Sequence, residues 1–427
     1  MSPFLQFAFL LASILLAAKL AGYLSIRLGQ PSVLGELIVG IILGPSLINL
    51  LNLPILEGGT LSEMLHLLGE MGVLLLMFIA GLELHFDDLR RNTGVSALAG
   101  TLGVIVPVVL GWGVGLLFKL GQQDAIFLGL TLGATSVSIS AQTLIEMKSL
   151  RSRVGLGLLG AAVFDDILVI LLLSLFTAVN DGGEGVASVL FVLARMVLFF
   201  ILALVFGLWI LPRIIRWVRE LPVSQNVLSL ALVVILAYGL AAELIGGMAA
   251  ITGAFLAGLM FARSPERDNL EPRISALAYG FFVPIFFVGI GLSVNINSVL
   301  VGLGLTFVVI FIAIIGKLLG AGLGARWAGF SWLESLQLGT GMISRGEVGL
   351  IVASVGMKTG LITEVVFSAI VGMVVVSTLV TPPALRALFK KSVDVNSDLL
   401  TKTPNSKVKP PVSKKVVGSA PSKEKKK

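Results

Sequence analysis

Leu158-Leu-Gly-Ala-Ala-Val-Phe-Asp-Asp-Ile-Leu-Val-Ile170 sets two adjacent carboxylates, Asp165 and Asp166, at the midpoint of an apolar run. The run extends over about residues 153–178, long enough to cross a bilayer, which takes about 20 mostly apolar residues. An ionised side chain at that depth costs about 2.5–3.5 kcal/mol on insertion scales, so two in succession imply a use. Neighbouring positions on a helix point about 100° apart, and the two carboxylates need not share a partner. A carboxylate in this setting can hold either a proton or a cation, and competition of the two for one site is the simplest form of exchange. A packing pair neutralised by Lys or Arg is the plainer reading, and it weighs more on Asp165 taken singly than on the pair.

The rest of the chain has the same character. Of 427 residues, 56% are hydrophobic and only 13% charged, against about 25% charged in soluble domains. The 49 Gly suit close helix packing in lipid. Apolar runs fall near 3–27, 32–52, 64–85, 93–118, 123–147, 153–178, 187–212, 223–243, 246–262, 271–293, 298–325, 334–358 and 362–388. They predict an all-α polytopic membrane protein of about thirteen spans. Arg27, Arg90, Arg91, Lys148, Arg151, Arg153, Arg213, Arg216, Arg219, Arg263, Arg267, Arg273, Arg326 and the Lys-rich tail all follow odd-numbered spans, whereas the other side carries Lys119 and Lys358. Positive loops stay in the cytoplasm, so an inner (plasma) membrane protein is expected, with its N-terminus outside and its C-terminus in the cytoplasm.

Several function classes are excluded by composition. The net charge of +7 is confined to the tail, where eleven Lys stand among residues 390–427; a nucleic-acid-binding surface is not expected. That tail, rich in Lys, Pro, Ser and Val, reads as disordered. With no Cys and only His66 and His85, thiolate chemistry and a multi-His metal site are ruled out. No nucleophile–base constellation is recognisable, so the chain is not read as an enzyme, and no cofactor is expected. The first apolar run lacks a preceding positive charge and exceeds a signal-peptide core; it reads as a retained helix.

The two halves share local patterns. Val33-Leu-Gly-Glu-Leu-Ile-Val-Gly40 in span 2 parallels Ile251-Thr-Gly-Ala-Phe-Leu-Ala-Gly258 in span 9. Met77-Phe-Ile-Ala-Gly-Leu82 in span 3 parallels Phe287-Val-Gly-Ile-Gly-Leu292 in span 10. Spans 5 and 12 both have polar, Gly-interrupted middles. Members of each pair lie seven spans apart and therefore run in opposite directions, the signature of inverted-topology repeats.

Other polar groups fall at similar depth. Lys317, in Ile314-Ile-Gly-Lys-Leu-Leu-Gly320, is the expected partner of the carboxylates, as a switchable counter-charge or a fixed salt bridge. Gly133-Ala-Thr-Ser-Val-Ser-Ile-Ser-Ala-Gln142 brings the hydroxyls of Thr135, Ser136 and Ser138 to mid-span 5. A helix broken there would expose carbonyls able to ligate a cation, although hydroxyls on intact helices commonly bond back to their own helix. In span 12, Gly339-Thr-Gly-Met-Ile-Ser-Arg-Gly-Glu-Val-Gly349 carries Arg345 and Glu347, whose charges would neutralise exposed helix ends.

Ala161-Ala-Val-Phe-Asp-Asp166, Ala134-Thr-Ser-Val-Ser-Ile-Ser-Ala141, Gly316-Lys-Leu-Leu-Gly-Ala321, Ser344-Arg-Gly-Glu-Val-Gly-Leu-Ile-Val-Ala353, Gln30-Pro-Ser-Val-Leu-Gly-Glu36 and Gly81-Leu-Glu83 together resemble the monovalent cation:proton antiporters of the Kef/Nap branch. The resemblance covers residues 1–388. It implies the NhaA-like antiporter fold, with crossed broken helices, a homodimer and elevator-type alternating access. A scaffold would be formed by residues 1–92 and 223–297, a moving core by 93–178 and 298–388, and a linker helix by 179–222; residues 389–427 would be the cytoplasmic tail. Asp166 would bind the cation, Na+, with Asp165 and Thr135 as further ligands, and Asp165 would pair with Lys317 until ion binding disturbs the pair. Thr135 and Ser136 would lie at the helix crossing near Arg345 and Glu347. An Asp-Asp pair is the pattern of electrogenic members, and the short tail shows no dinucleotide-binding fingerprint of the kind that gates some potassium members.

The expected activity is exchange of Na+ (or Li+) for H+ across the bilayer. K+ for H+ on the same fold is the first alternative. A Na+-coupled organic-solute symporter or a cation channel is the alternative of another class; the first would need a pocket for an organic anion and no buried Lys, the second would move cations without protons.

Overall fold

The computed structural model describes residues 2–56, 60–84, 92–180, 185–294, 303–345 and 362–402, together with positions 349, 353, 356 and 357. The chain divides into a unit of Met1–Phe389 and a second of Lys390–Lys427. In the second, the last helix is assigned as far as Lys402, in a stretch whose composition predicted disorder from residue 389; residues 403–427 lie outside the described ones. No strand occurs among the described residues.

The helices are α1 (Pro3–Arg27), α2 (Ser32–Leu43), α3 (Thr60–Glu83), α4 (Thr93–Leu117), α5 (Gln122–Gly133), α6 (Val137–Glu146), α7 (Arg153–Asn180), α8 (Gly185–Val205), α9 (Leu211–Arg219), α10 (Asn226–Ala241), α11 (Ala250–Phe261), α12 (Arg267–Leu277), α13 (Val283–Leu292), α14 (Leu303–Trp327), α15 (Trp332–Gly341) and α16 (Glu364–Lys402). Grouped by the runs that predicted them, they make thirteen consecutive spans: α5 and α6 are the halves of span 5, α8 and α9 of span 7, and α12 and α13 of span 10. Among the described residues, ten helical segments are long and apolar enough to cross a membrane. Spans 1 and 7 have only 17% of their most apolar windows buried, against 83% for span 5. The former therefore lie at the rim, where apolar side chains face lipid, and span 5 at the centre.

The departures from the predicted runs have local causes. Span 2 was expected to run from 32 to 52, but α2 stops at Leu43. Gly44 follows in extended conformation, and Pro45 has no N–H to continue the ladder. The chain then makes two short 3-10 turns, Leu50–Asn52 and Pro54–Leu56. Three π-helical turns interrupt spans 7, 8 and 10, at Phe206–Ile210, Ala242–Gly246 and Ala278–Phe282. Pro212 follows the first and Pro284 the third. The widened turn holds the carbonyl four residues before each Pro, the one its ring would strike in a regular helix. The second ends at Gly247, with φ of 64°, and Arg195 from span 7 donates to the freed carbonyls of Leu244 and Ile245.

Helices in the two halves make similar close contacts through glycines. Helices α2 and α11 each have twelve residues, about 18 Å against a hydrocarbon thickness of about 30 Å. Each is pressed onto its neighbours through its glycines. A Cβ at Gly40 of α2 would stand 2.4 Å from the Val288 carbonyl oxygen of α13, and one at Gly258 of α11 would stand 2.1 Å from that of Phe78 in α3. Gly35 meets the Ala21 carbonyl of α1 at 2.2 Å, and Gly253 meets that of Tyr238 in α10 at 2.2 Å. In spans 5 and 12, a Cβ at Gly129 of α5 would meet the Val108 carbonyl of α4 at 2.5 Å, and one at Gly339 of α15 that of Leu318 in α14 at 2.9 Å. Gly35 and Gly40 of α2 have the same spacing as Gly253 and Gly258 of α11.

Candidate functional site

Span 5 breaks at Ala134-Thr135-Ser136, between α5 and α6. Helix α15 ends at Gly341, with Met342 to Arg345 outside regular helix. The two breaks are joined through their backbones. The Ser136 N–H donates to the Ser344 carbonyl at 3.0 Å, and the Ser344 hydroxyl donates to the Ser136 carbonyl. The Ser140 hydroxyl donates to the Gly341 carbonyl at 2.6 Å, and the Ser136 and Ser138 hydroxyls lie 2.9 Å apart. Each broken helix thereby satisfies groups that the other leaves exposed, as the hydrocarbon interior requires.

Arg345 fills the crossing. It is 1% exposed, and its guanidinium donates to the carbonyls of Gly133 and Ala134 and to the Thr135 hydroxyl. Those carbonyls are the C-terminal end of α5, where the helix dipole concentrates partial negative charge. The Arg345 carbonyl accepts from the Thr378 hydroxyl of α16. Glu347, expected beside it, lies outside the described residues.

Asp165 and Asp166 leave α7 in different directions, as their spacing on a helix requires. Asp165 is 1% exposed and Lys317 of α14 is fully buried, with Nζ 2.9 Å from Asp165 Oδ1. The Thr135 hydroxyl also faces Asp165. Asp166 turns instead towards α11, where the Thr252 hydroxyl donates to its Oδ2 at 3.1 Å. Beside this contact is a cavity of about 20 Å³, walled by Met77, Val137, Ala162, Val163 and Phe255 among others. That volume admits about one water-sized body. The structure therefore gathers Asp165, Lys317, Thr135 and Arg345 around one side of α7, with Ser136 and Ser138 in the crossing above them. Asp166 stands apart on a second face.

Two residues of this arrangement, Thr252 and Thr378, were missed by sequence reading. Hydroxyls in membrane helices mostly bond to their own backbone, as Thr131 does to Phe127 and Thr143 to Ile139. Thr252 is the third residue of α11, so the carbonyl four residues back belongs to no helix. A hydroxyl in the first turn of a short apolar helix is the signal that was available.

A bundle of apolar spans in which interrupted helices cross beside intramembrane carboxylates has the architecture of a membrane transporter of the secondary class. Comparison with known proteins narrows this class. Residues 13–391 match the transmembrane sodium/hydrogen exchanger family, and the chain belongs to that family. It is 41% identical over 384 residues to the Na+/H+-K+ antiporter GerN of Bacillus cereus, covering 90% of this chain and 96% of the relative. It is 33% identical over 388 residues to a Na+/H+ antiporter of Enterococcus hirae, covering 91% and 99%. The solved structure of the sodium proton antiporter MjNhaP1 from Methanocaldococcus jannaschii superposes with a TM-score of 0.67 at 16% identity, over 91% of this chain and 98% of that one, which shows a shared fold.

Proposed function

We propose that the protein exchanges Na+ or Li+ for protons across the plasma membrane, with Asp166 as the group that holds either ion. The observation that carries this reading is the division of labour between adjacent carboxylates. Lys317 neutralises Asp165, while Asp166 turns to a cavity of ion size. Proton and cation then compete for Asp166, and one site serves both directions of exchange. Asp165 and Lys317 form a counter-charge pair that a bound cation disturbs, and Thr135 supplies an oxygen nearby. Spans 1–3 and 8–10 act as the scaffold of a homodimer, spans 4–6 and 11–13 as the core that slides along it, and span 7 as the linker. The N-terminus lies outside and the C-terminus in the cytoplasm.

The Asp-Asp pair supports electrogenic exchange, in which each net charge moved is worth about 2.3 kcal/mol per 100 mV. K+ is the second reading for the cation, because one relative is named a Na+/H+-K+ antiporter.

Purified protein in liposomes with a lumenal pH dye and an imposed pH gradient tests the reading. Addition of Na+ or Li+ is expected to change lumenal pH, and Asp166→Asn to abolish that change while the protein stays folded. Undiminished exchange in Asp166→Asn removes the ion-site assignment. A response to K+ alone selects the second reading, and cation flux without pH change, with electrical shunting controlled, points to a channel or symporter.

A further inference from the structure

The cavity beside Asp166 is lined from three sides by apolar groups: Met77 of α3, Val137 of α6 and Phe255 of α11. Among the described lining residues, only Asp166 and Thr252 bring polar side-chain atoms to it. They stand on opposite walls, α7 and α11, and meet at 3.1 Å. Thr252 is 4% exposed, so its hydroxyl is held away from bulk water. Helix α11 is itself closely packed, since Gly253 and Gly258 seat it against α10 and α3 without room for a Cβ. The contact therefore joins the ion-carrying helix to a closely packed neighbour that belongs to the opposite half of the machine.

A hydroxyl has one proton to give. It is given most strongly to a charged carboxylate, where hydrogen bonds are worth about twice those to neutral acceptors. Once a proton or a cation sits on Asp166, the oxygen that Thr252 addresses has lost its excess charge and the attraction across the seam falls.

Resting on the function proposed above, we infer that Thr252 is a positioning residue that reads the occupancy of Asp166. It pins the unloaded, charged carboxylate to α11 and releases it when a proton or cation binds, so the core moves only when loaded. The bond competes with the cation, which must displace it. The same competition guards against slippage, because an empty charged carrier stays docked.

The test uses the full-length protein in liposomes, as Thr252→Val and Thr252→Ser. Valine keeps the shape and removes the hydroxyl; serine keeps the hydroxyl. Thr252→Val is expected to lower KM for Na+ by roughly tenfold, the factor that about 1.4 kcal/mol represents. It should also let an imposed pH gradient decay faster without added cation. Thr252→Ser should restore both values. A KM for Thr252→Val that is unchanged overturns the inference. A raised KM also overturns it, because the hydroxyl would then be a ligand of the bound cation. Should the valine protein fail to fold, judged by loss of a cooperative melting transition in detergent, Thr252→Ala against Thr252→Ser reads the same KM difference. Exchange that persists in Asp166→Asn fails the function itself, whereas an unaltered Thr252→Val beside a dead Asp166→Asn fails the reader alone.

Discussion

At the scale of single residues, depth in the membrane made the important groups legible. Asp165, Asp166 and Lys317 stand out in sequence because nothing else ionisable interrupts the middle of spans 6 and 11. Which carboxylate takes which partner was not legible from depth and came only from the family resemblance, since it depends on the rotation of α7 about its axis and on the neighbours packed there. The structure gives Lys317 to Asp165, both fully withdrawn from solvent. Breaking a buried ion pair by removing one member leaves the other charge uncompensated and typically costs 3–5 kcal/mol. Lys317→Gln is therefore expected to lower the melting temperature in detergent, with a loss of about that size. The double variant Asp165→Asn with Lys317→Gln, which leaves no orphaned charge, should recover most of it. A melting curve for Lys317→Gln that matches the wild type would mean the pair contributes nothing net.

At the scale of elements, the close-packing glycines of α2 and α11 were legible in the sequence pattern, while lengths and breaks were only partly so. The polar middle of span 5 predicted an interruption, and α5 and α6 are separated there. The early end of α2 was missed because hydropathy continues through Ile48 and Leu51 after Pro45 has stopped the ladder. What the pattern could not convey is how close the helices come. At Gly40 and Gly258 the neighbouring carbonyl oxygens leave no space for a Cβ, whereas Gly113 in α4 has nothing within 4 Å of that position. Alanine is the better helix former by about 1 kcal/mol, so propensity alone favours the change at all three. Gly113→Ala is expected to leave the melting temperature unchanged or raised. Gly40→Ala and Gly258→Ala should each lower it by the equivalent of about 1–3 kcal/mol, the usual cost of overpacking. Similar losses at these two positions are what a repeat relating α2 to α11 predicts. A tolerated alanine at either would mean that α2 or α11 can move aside.

At the scale of the whole molecule, the asymmetry of positive charge is the information that contact geometry does not carry. Packing alone is satisfied equally well with either end of the bundle facing the cytoplasm. The loops after odd-numbered spans hold nearly all the Lys and Arg, and the positive-inside rule turns that asymmetry into an orientation. The structure adds that positions on both ends are accessible: Ser224, after span 7, and Gln122, at the start of span 5, are exposed. The chain contains no Cys, so a single introduced thiol is an unambiguous reporter. In intact cells, a membrane-impermeant maleimide is expected to label Gln122→Cys and to leave Ser224→Cys unlabelled until the membrane is opened. The reverse pattern would invert the molecule and place the Lys-rich C-terminal segment outside. Labelling of both in sealed cells would indicate mixed insertion, which so one-sided a charge distribution disfavours.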